Sequence, residues 1–383
     1  MKTWTIQNLR NLHIELSNYC NAACPVCPRY FYHSENLHPA IKLNQITLEV
    51  FKKYFPDCII SNLKQITFCG STGDPMTAKD ILPILQYIYE VNSTCDIFIT
   101  TNGGLRSEQF WNDIGAFLCN KPHKLTFSID GLEDTNHIYR RNVNWDVLIR
   151  NIKAFISSGG IAEWDFLIFN HNEHQISEAQ SLSRSLGFTD FNLKKPLGFI
   201  ENSENIYAID VYGKNNNFQY YISPAKQFIN KPIQYKNCIL PDYIDNKSQL
   251  QLNNIDEEYK DLLMNRIFCK FLNRPDNTSE LYITANGIVV PCCFIDEAFI
   301  GNFNDNAFLQ MNLFVKDQLS YLDLNLNTLS SILESNILEG LIINKWKKRL
   351  FSQDKPVLCS MICGKNSKID QIYVKNNSGR LSK

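Results

Sequence analysis

The sequence predicts an α/β fold: a partial (β/α)6 barrel of the TIM type, followed by a smaller C-terminal unit containing a β-hairpin and helices. Three observations carry this. Short β-branched or aromatic runs alternate with longer helix-periodic stretches over residues 11–200. Gly159, Gly160 and Gly187 stand where helices between those runs would end. Beyond residue 200 the alternation stops, and a second group of cysteines appears between Cys269 and Cys363.

Strands are expected near 11–17 (NLHIELS), 64–69 (KQITFC), 95–100 (CDIFIT), 124–129 (KLTFSI), 164–169 (WDFLIF) and 189–194 (TDFNLK). Helices are expected over 78–92, 107–119 and 143–158. Successive β-α units imply a parallel sheet with right-handed crossovers. In such folds the chemistry sits on loops at the C-terminal strand ends. Three domains follow: a core over 1–200, a connector or lid over 201–262, rich in Asn, Tyr and Lys, and a cysteine-rich unit over 263–383. In that last unit, LYITANGIVVPCC reads as a hairpin turning at Asn286-Gly287.

Charge narrows the function classes. Lys+Arg 38 against Asp+Glu 39 gives a net charge of −1, so no basic field marks a nucleic-acid partner. No apolar run reaches the ~20 residues of a membrane span. The start, MKTWTIQNLRN, lacks the apolar stretch of a secretory signal. A cytoplasmic location is expected, where thiols stay reduced and the 13 cysteines are better read as ligands than as disulfides.

The first strand runs into Cys20, Cys24 and Cys27, spaced C-x3-C-x2-C. Three thiolates on one short loop suit an iron–sulfur cluster, with one iron left open. A zinc knuckle is the structural alternative; its fourth ligand would have to be His33 or His38. This loop after the first strand resembles the signature of the radical S-adenosylmethionine (radical SAM) superfamily. The resemblance implies a [4Fe-4S] cluster whose open iron is chelated by SAM. One-electron reduction then yields methionine and a 5′-deoxyadenosyl radical that abstracts a substrate hydrogen.

Further segments fit the same resemblance in order. Thr72, Gly73, Asp74 and Pro75 are similar to the family's Gly-Gly-Glu-Pro segment, which implies contact with the SAM amino group. Thr101 and Asn102, in TTNGG, fall where a TNG-like segment lines the SAM pocket. In SIDGLEDTNHIYRR, Ser128 and Asp130 map to the ribose side and Arg140 to the SAM carboxylate, with Arg141 an equally available cation. His171 and His174 are read as helix-entry and packing residues, Cys69, Cys58, Cys95 and Cys119 as structural thiols. Lys194 and Lys195 face either the mouth or solvent.

In the C-terminal unit, Cys269, Cys292 or Cys293, Cys359 and Cys363 supply four thiolates, enough for a filled cluster or a structural zinc. Gly287 followed by Cys292, then Ile300-Gly301-Asn302, is similar to the SPASM/twitch extension of radical SAM enzymes, which implies an auxiliary [4Fe-4S] cluster. A single-cluster, twitch-like unit fits the cysteine count; participation of Cys238 stays open. The resemblance further implies a reductant protein such as flavodoxin or ferredoxin. The substrate would be a peptide or a small molecule. The competing reading is a non-catalytic, cysteine-rich metal-binding or electron-carrier protein, which would have no use for the TGDP and SIDG segments.

Overall fold

A computed structural model describes residues 4–196, 200–201, 207–226, 278–300, 311–312, 315–343, 359 and 363. Cys238 and Cys269 lie outside these residues. All six expected strands form: β1 (Leu9–Ile14), β2 (Gln65–Phe68), β3 (Asp96–Thr101), β4 (His123–Ser128), β5 (Ala162–Leu167) and β6 (Asp190–Lys194). They pair in parallel in that order. Period-two alternation sends Leu12, Ile14, Ile66, Phe68, Ile97, Ile99, Leu125, Phe127, Trp164 and Phe166 to buried positions. On the other face of the first two strands stand Asn11 and His13 of β1 and Gln65 and Thr67 of β2.

The main crossover helices match their predicted stretches: α3 (Ile81–Val91), α4 (Glu108–Leu118) and α6 (Trp145–Ser157), with α7 (Ile176–Leu186) after β5. The shorter α1 (Leu48–Tyr54), α2 (Asp57–Ile60) and α5 (Asn136–Tyr139) complete this half. Side-chain caps start two of the long helices directly after strand-end loops: Ser107 Oγ accepts from Phe110 N at 3.3 Å and Asn144 Oδ1 from Val147 N at 2.9 Å. Gly187 closes α7 with φ 90°, a left-handed conformation suited to glycine. Trp111 of α4 packs its ring 5.4 Å from Phe127 of β4 and 6.0 Å from Phe155 of α6, locking helices to sheet.

Two features depart from the sequence reading. The connector, expected to be irregular, contains regular strands among its described residues. β7 (Ile200–Glu201), β8 (Tyr207–Tyr212) and β9 (Phe218–Ile222) make an antiparallel sheet, and the Asn-rich run is the turn between β8 and β9. Tyr207, Ile209, Val211 against Ala208, Asp210, Tyr212 is a strand pattern that the high Asn and Lys content obscures. Second, the C-terminal hairpin joins the barrel sheet. β10 (Ser279–Ile283) pairs parallel to β1 from Leu9↔Ser279 to Ile14↔Ile283, and β11 (Val289–Val290) pairs antiparallel to β10. The sheet thus has eight strands, ordered β11-β10-β1-β2-β3-β4-β5-β6. Beyond β11, α8 (Cys293–Ile300) and α9 (Leu329–Glu334) follow.

Candidate active site

The loop after β1 is knitted by its own backbone. Cys27 N donates to Cys24 O at 3.0 Å, Tyr30 N to Cys27 O at 3.1 Å, and Ala23 N to Arg141 O at 2.9 Å. The three thiols sit close enough that the charge of Cys24 and Cys27 acts on Cys20, and that of Cys24 on Cys27. Burial first, then Asp74 and the two neighbouring thiols, pushes Cys20 up; burial and then Cys24 hold Cys27 at about 12; for Cys24 burial dominates, opposed by Arg140. Thiols held apart from water ionise when a cationic centre arrives, and metal coordination deprotonates them outright. The donor set therefore fits a cluster bound through three thiolates.

The two histidines nominated for a zinc knuckle are otherwise engaged. His33 Nδ1 contacts Pro25 O at 2.8 Å, and His38 Nδ1 accepts from Ala40 N at 3.2 Å. Among the described residues, no three His, Cys, Asp or Glu side chains gather in the arrangement a single metal ion needs.

The segment after β2 is tied from below by Glu15, which sequence reasoning passed over as part of the first strand. Its buried Oε1 accepts from Thr72 N at 2.9 Å, Thr72 Oγ1 at 2.9 Å and Gly73 N at 3.1 Å. Asp74 N donates to Tyr19 O at 2.8 Å, and Pro75 has no N–H. Of the segment's carbonyls, Thr72 O accepts from Arg29 Nη1 at 3.2 Å, Asp74 O from Thr77 N at 3.0 Å and Pro75 O from Ala78 N at 3.1 Å, so Gly73 O is the acceptor it has to offer an ammonium. Gly73 is dictated by contact: a Cβ there would lie 1.9 Å from Ser17 O and 2.5 Å from Asn18 Cα. Gly73→Ala is expected to displace the segment from the cysteine loop. Thermal unfolding checks this: a midpoint lowered by several degrees is expected, consistent with the cost of overpacking against backbone.

Asp74 ties this segment to the end of β3. Its carboxylate accepts from Thr101 Oγ1 at 2.8 Å, Asn102 N at 2.8 Å, Asn102 Nδ2 at 2.8 Å and Met76 N at 3.0 Å. Burial raises Asp74, while these donors and Arg140 oppose the rise. Asn102 Nδ2 also reaches Cys20 Sγ at 3.6 Å and Asn21 Oδ1 at 2.9 Å. Two segments about thirty residues apart in sequence are thus joined to the cysteine loop by one buried carboxylate.

The end of β4 supplies the cation. Asp130 is wholly buried; its Oδ2 accepts from Arg140 Nε at 2.6 Å and its Oδ1 from Leu167 N at 2.7 Å. Arg140 in turn points Nη1 at Cys24 Sγ, 3.5 Å away. Ser128 ends β4 two residues earlier, half-buried. The neighbouring cation goes elsewhere: Arg141 pairs with Glu35 and donates to Gln219 Oε1 of β9 at 2.7 Å. Arg140 is the C-cap of α5, with φ −85° and ψ 59°, and this turn out of the helix separates the paths of the two arginines.

His171 stacks on Phe169 at 5.2 Å, and burial lowers it to about 4, in keeping with a packing role. Lys194 pairs with Asp165 across neighbouring strands rather than standing free in solvent. Cys95 is buried and Cys119 half-buried, whereas Cys58 is exposed, so burial does not define Cys58.

In the C-terminal unit the structure separates the two adjacent cysteines. Cys292 shares its surroundings with Cys359 and Cys363, whose charges act on its buried thiol. Cys293, the first residue of α8, is influenced instead by Cys292, Glu297 and Cys69 at the end of β2. Glu297 acts electrostatically on Cys27 of the first loop, adding to the rise that burial causes there. Burial alone raises Glu297 to about 7.

Three thiols, the buried Asp74 and the Arg140–Asp130 pair thus gather at the C-terminal ends of the parallel strands. Residues 14–178 match the radical SAM superfamily. The GTP 3′,8-cyclase of Campylobacter lari is 24% identical over 294 residues, covering 75% of this chain and 81% of that protein. The probable GTP 3′,8-cyclase of Methanocaldococcus jannaschii is 22% identical over 300 residues, covering 77% and 88% respectively. The structure of Streptococcus suis SuiB bound to precursor peptide SuiA has the same fold, with a TM-score of 0.51 at 15% identity, covering 98% of this chain and 76% of that one. Residues 14–178 thus form a radical SAM domain, of a family that uses a [4Fe-4S] cluster and SAM, and the chain is similar to enzymes over three quarters of its length, which speaks against the non-catalytic carrier reading. No described helix is long and apolar enough to cross a membrane.

Proposed function

We propose that this enzyme reductively cleaves SAM and oxidises a peptide or protein side chain held at the barrel mouth. One observation carries the assignment of the site: Arg140, fixed by buried Asp130, sets a cation beside Cys24 where a SAM carboxylate would bind. In this reading Cys20, Cys24 and Cys27 hold three irons of the first cluster. Within Thr72–Pro75, Gly73 receives the SAM ammonium through its carbonyl, with Thr72 and Pro75 shaping the segment and Asp74 fixing Thr101 and Asn102 as the adjoining wall. Ser128 lies toward the ribose, and Asp130 serves mainly to hold Arg140. Bound there, the cluster supplies the electron that splits SAM into methionine and a 5′-deoxyadenosyl radical, which takes a hydrogen atom from the substrate.

Cys292, Cys359 and Cys363, with Cys269, are assigned to an auxiliary [4Fe-4S] cluster. Four thiolates leave no iron open for substrate, so this cluster is given an electron-transfer role. An auxiliary cluster held there would supply an acceptor for the one electron that a substrate radical gives up as it releases a proton to solvent. The first cluster's electron comes from a flavodoxin or ferredoxin.

The precursor peptide bound to SuiB supports the peptide class. A second reading, a nucleotide substrate, is favoured by the similarity to GTP 3′,8-cyclases over three quarters of the chain. Deuterium tracing separates the two. Reconstituted enzyme, SAM and reductant are incubated anaerobically with either a deuterated peptide pool or deuterated GTP, and 5′-deoxyadenosine is examined by mass. Label arriving from peptides is the expected result; label arriving from GTP alone would select the nucleotide reading.

A further inference from the structure

The C-terminal unit touches the SAM-facing segment directly. Tyr282, on β10, is buried, and its hydroxyl oxygen accepts from Ser71 N at 3.1 Å and lies 3.0 Å from Ser71 Oγ. Asp296, on α8, is also buried; burial raises its carboxyl, and the Ser71 and Tyr282 side chains oppose the rise. Ser71 immediately precedes Thr72, whose N–H and hydroxyl are held by Glu15. Glu15 also receives Ala285 N, from the β10–β11 turn, at 3.4 Å through its second oxygen. His13 packs edge-on against the Tyr282 ring at 4.7 Å and contacts Cys69 O at 2.7 Å through Nε2.

Three consecutive N–H groups, of Ser71, Thr72 and Gly73, are therefore anchored on just two side chains, Tyr282 and Glu15. One of these belongs to the C-terminal unit and the other is bonded to it. A backbone segment presenting carbonyls to an ammonium keeps its affinity only while its N–H groups hold it in that orientation. Buried polar groups of this kind are strongly coupled, because each lost partner leaves another unsatisfied.

We propose that Tyr282, supported by the buried Asp296, is a positioning residue through which the C-terminal unit sets the SAM-binding segment, so that seating of the β10–β11 hairpin controls SAM affinity at the first cluster. This rests on the assignment of Thr72–Pro75 to SAM and holds whichever metal the second cysteine group binds. It ascribes to that unit a second role, distinct from electron transfer.

The test uses the full chain with its clusters reconstituted anaerobically. SAM is titrated while the electron paramagnetic resonance spectrum of the reduced first cluster is followed. Tyr282→Phe keeps the ring against His13 and removes only the hydroxyl. It is expected to need about tenfold more SAM for the same spectral change, with iron and sulfide content unchanged, as the loss of one buried hydrogen-bond partner predicts. Asp296→Asn, a second variant in case the first folds poorly, should weaken binding in the same direction. The double variant should be no weaker than the poorer single one, because both act on Ser71. Wild-type SAM affinity in both single variants, or a loss that only tracks loss of iron, would overturn the proposal. Absence of any SAM-dependent change in the unsubstituted enzyme would instead overturn the SAM-site assignment itself.

Discussion

Cys24→Ala is expected to abolish formation of 5′-deoxyadenosine and to remove about half of the iron from reconstituted protein, leaving the auxiliary cluster in place. The reason lies in how the two cysteine groups are held. Cys24 sits on a loop closed by its own backbone bonds at Cys27 and Tyr30, whereas Cys292 shares its environment with Cys359 and Cys363. Losing one thiol from a set of three leaves too few ligands for the first cluster, without touching the second. Iron and sulfide analysis, with Mössbauer spectra before and after substitution, checks the result. Full iron retention with undiminished SAM cleavage would show that Cys24 is not a ligand.

The second large effect is expected at Arg140. Replacing it with Met leaves the Asp130 carboxylate wholly buried, with Leu167 N still bonded to one oxygen but no cation on the other. Breaking a buried ion pair from one side costs about 3–5 kcal/mol. At roughly 2–4 °C per kcal/mol for a chain of this size, the melting temperature should fall by about 10 °C. Adding Asp130→Asn should restore much of the stability, since the unpaired charge is gone, yet SAM binding should remain lost. That divergence separates Arg140 as a ligand-facing cation from Arg140 as a structural partner. Arg140→Lys keeps the charge but not the fork that spans Asp130 and Cys24, so partial recovery of both properties is expected.

Much of the architecture was legible because its signals are local. The six strands read from β-branched runs, the glycine that closes α7, and the C-x3-C-x2-C loop each depend on residues near one another in sequence. The order of TGDP, TTNGG and SIDG after successive strands was equally visible. What escaped was whatever depends on distant partners. Glu15 looked like one residue of a strand, and only the fold shows it gathering donors from Thr72, Gly73 and Ala285. A carboxylate embedded in an otherwise apolar strand end is the signal that could have exposed it.

Adjacent residues with opposite fates were also beyond sequence. Arg140 and Arg141 differ by one step past the end of α5, yet one meets Asp130 and the other Glu35. Cys292 and Cys293 divide in the same way, because α8 starts between them. The parallel docking of β10 on β1 joins residues more than 260 positions apart, a pairing that local pattern does not encode. It also places β10 and β11 in the barrel sheet, beyond β1.

The central claim is SAM-dependent radical chemistry at the Cys20, Cys24 and Cys27 loop. Its most direct test is to reconstitute the unsubstituted chain anaerobically, add SAM and a strong one-electron reductant, and quantify 5′-deoxyadenosine and methionine. Equal amounts of the two products, formed only by cluster-loaded protein, are predicted. A protein carrying its full complement of iron and sulfide that forms neither would contradict the account.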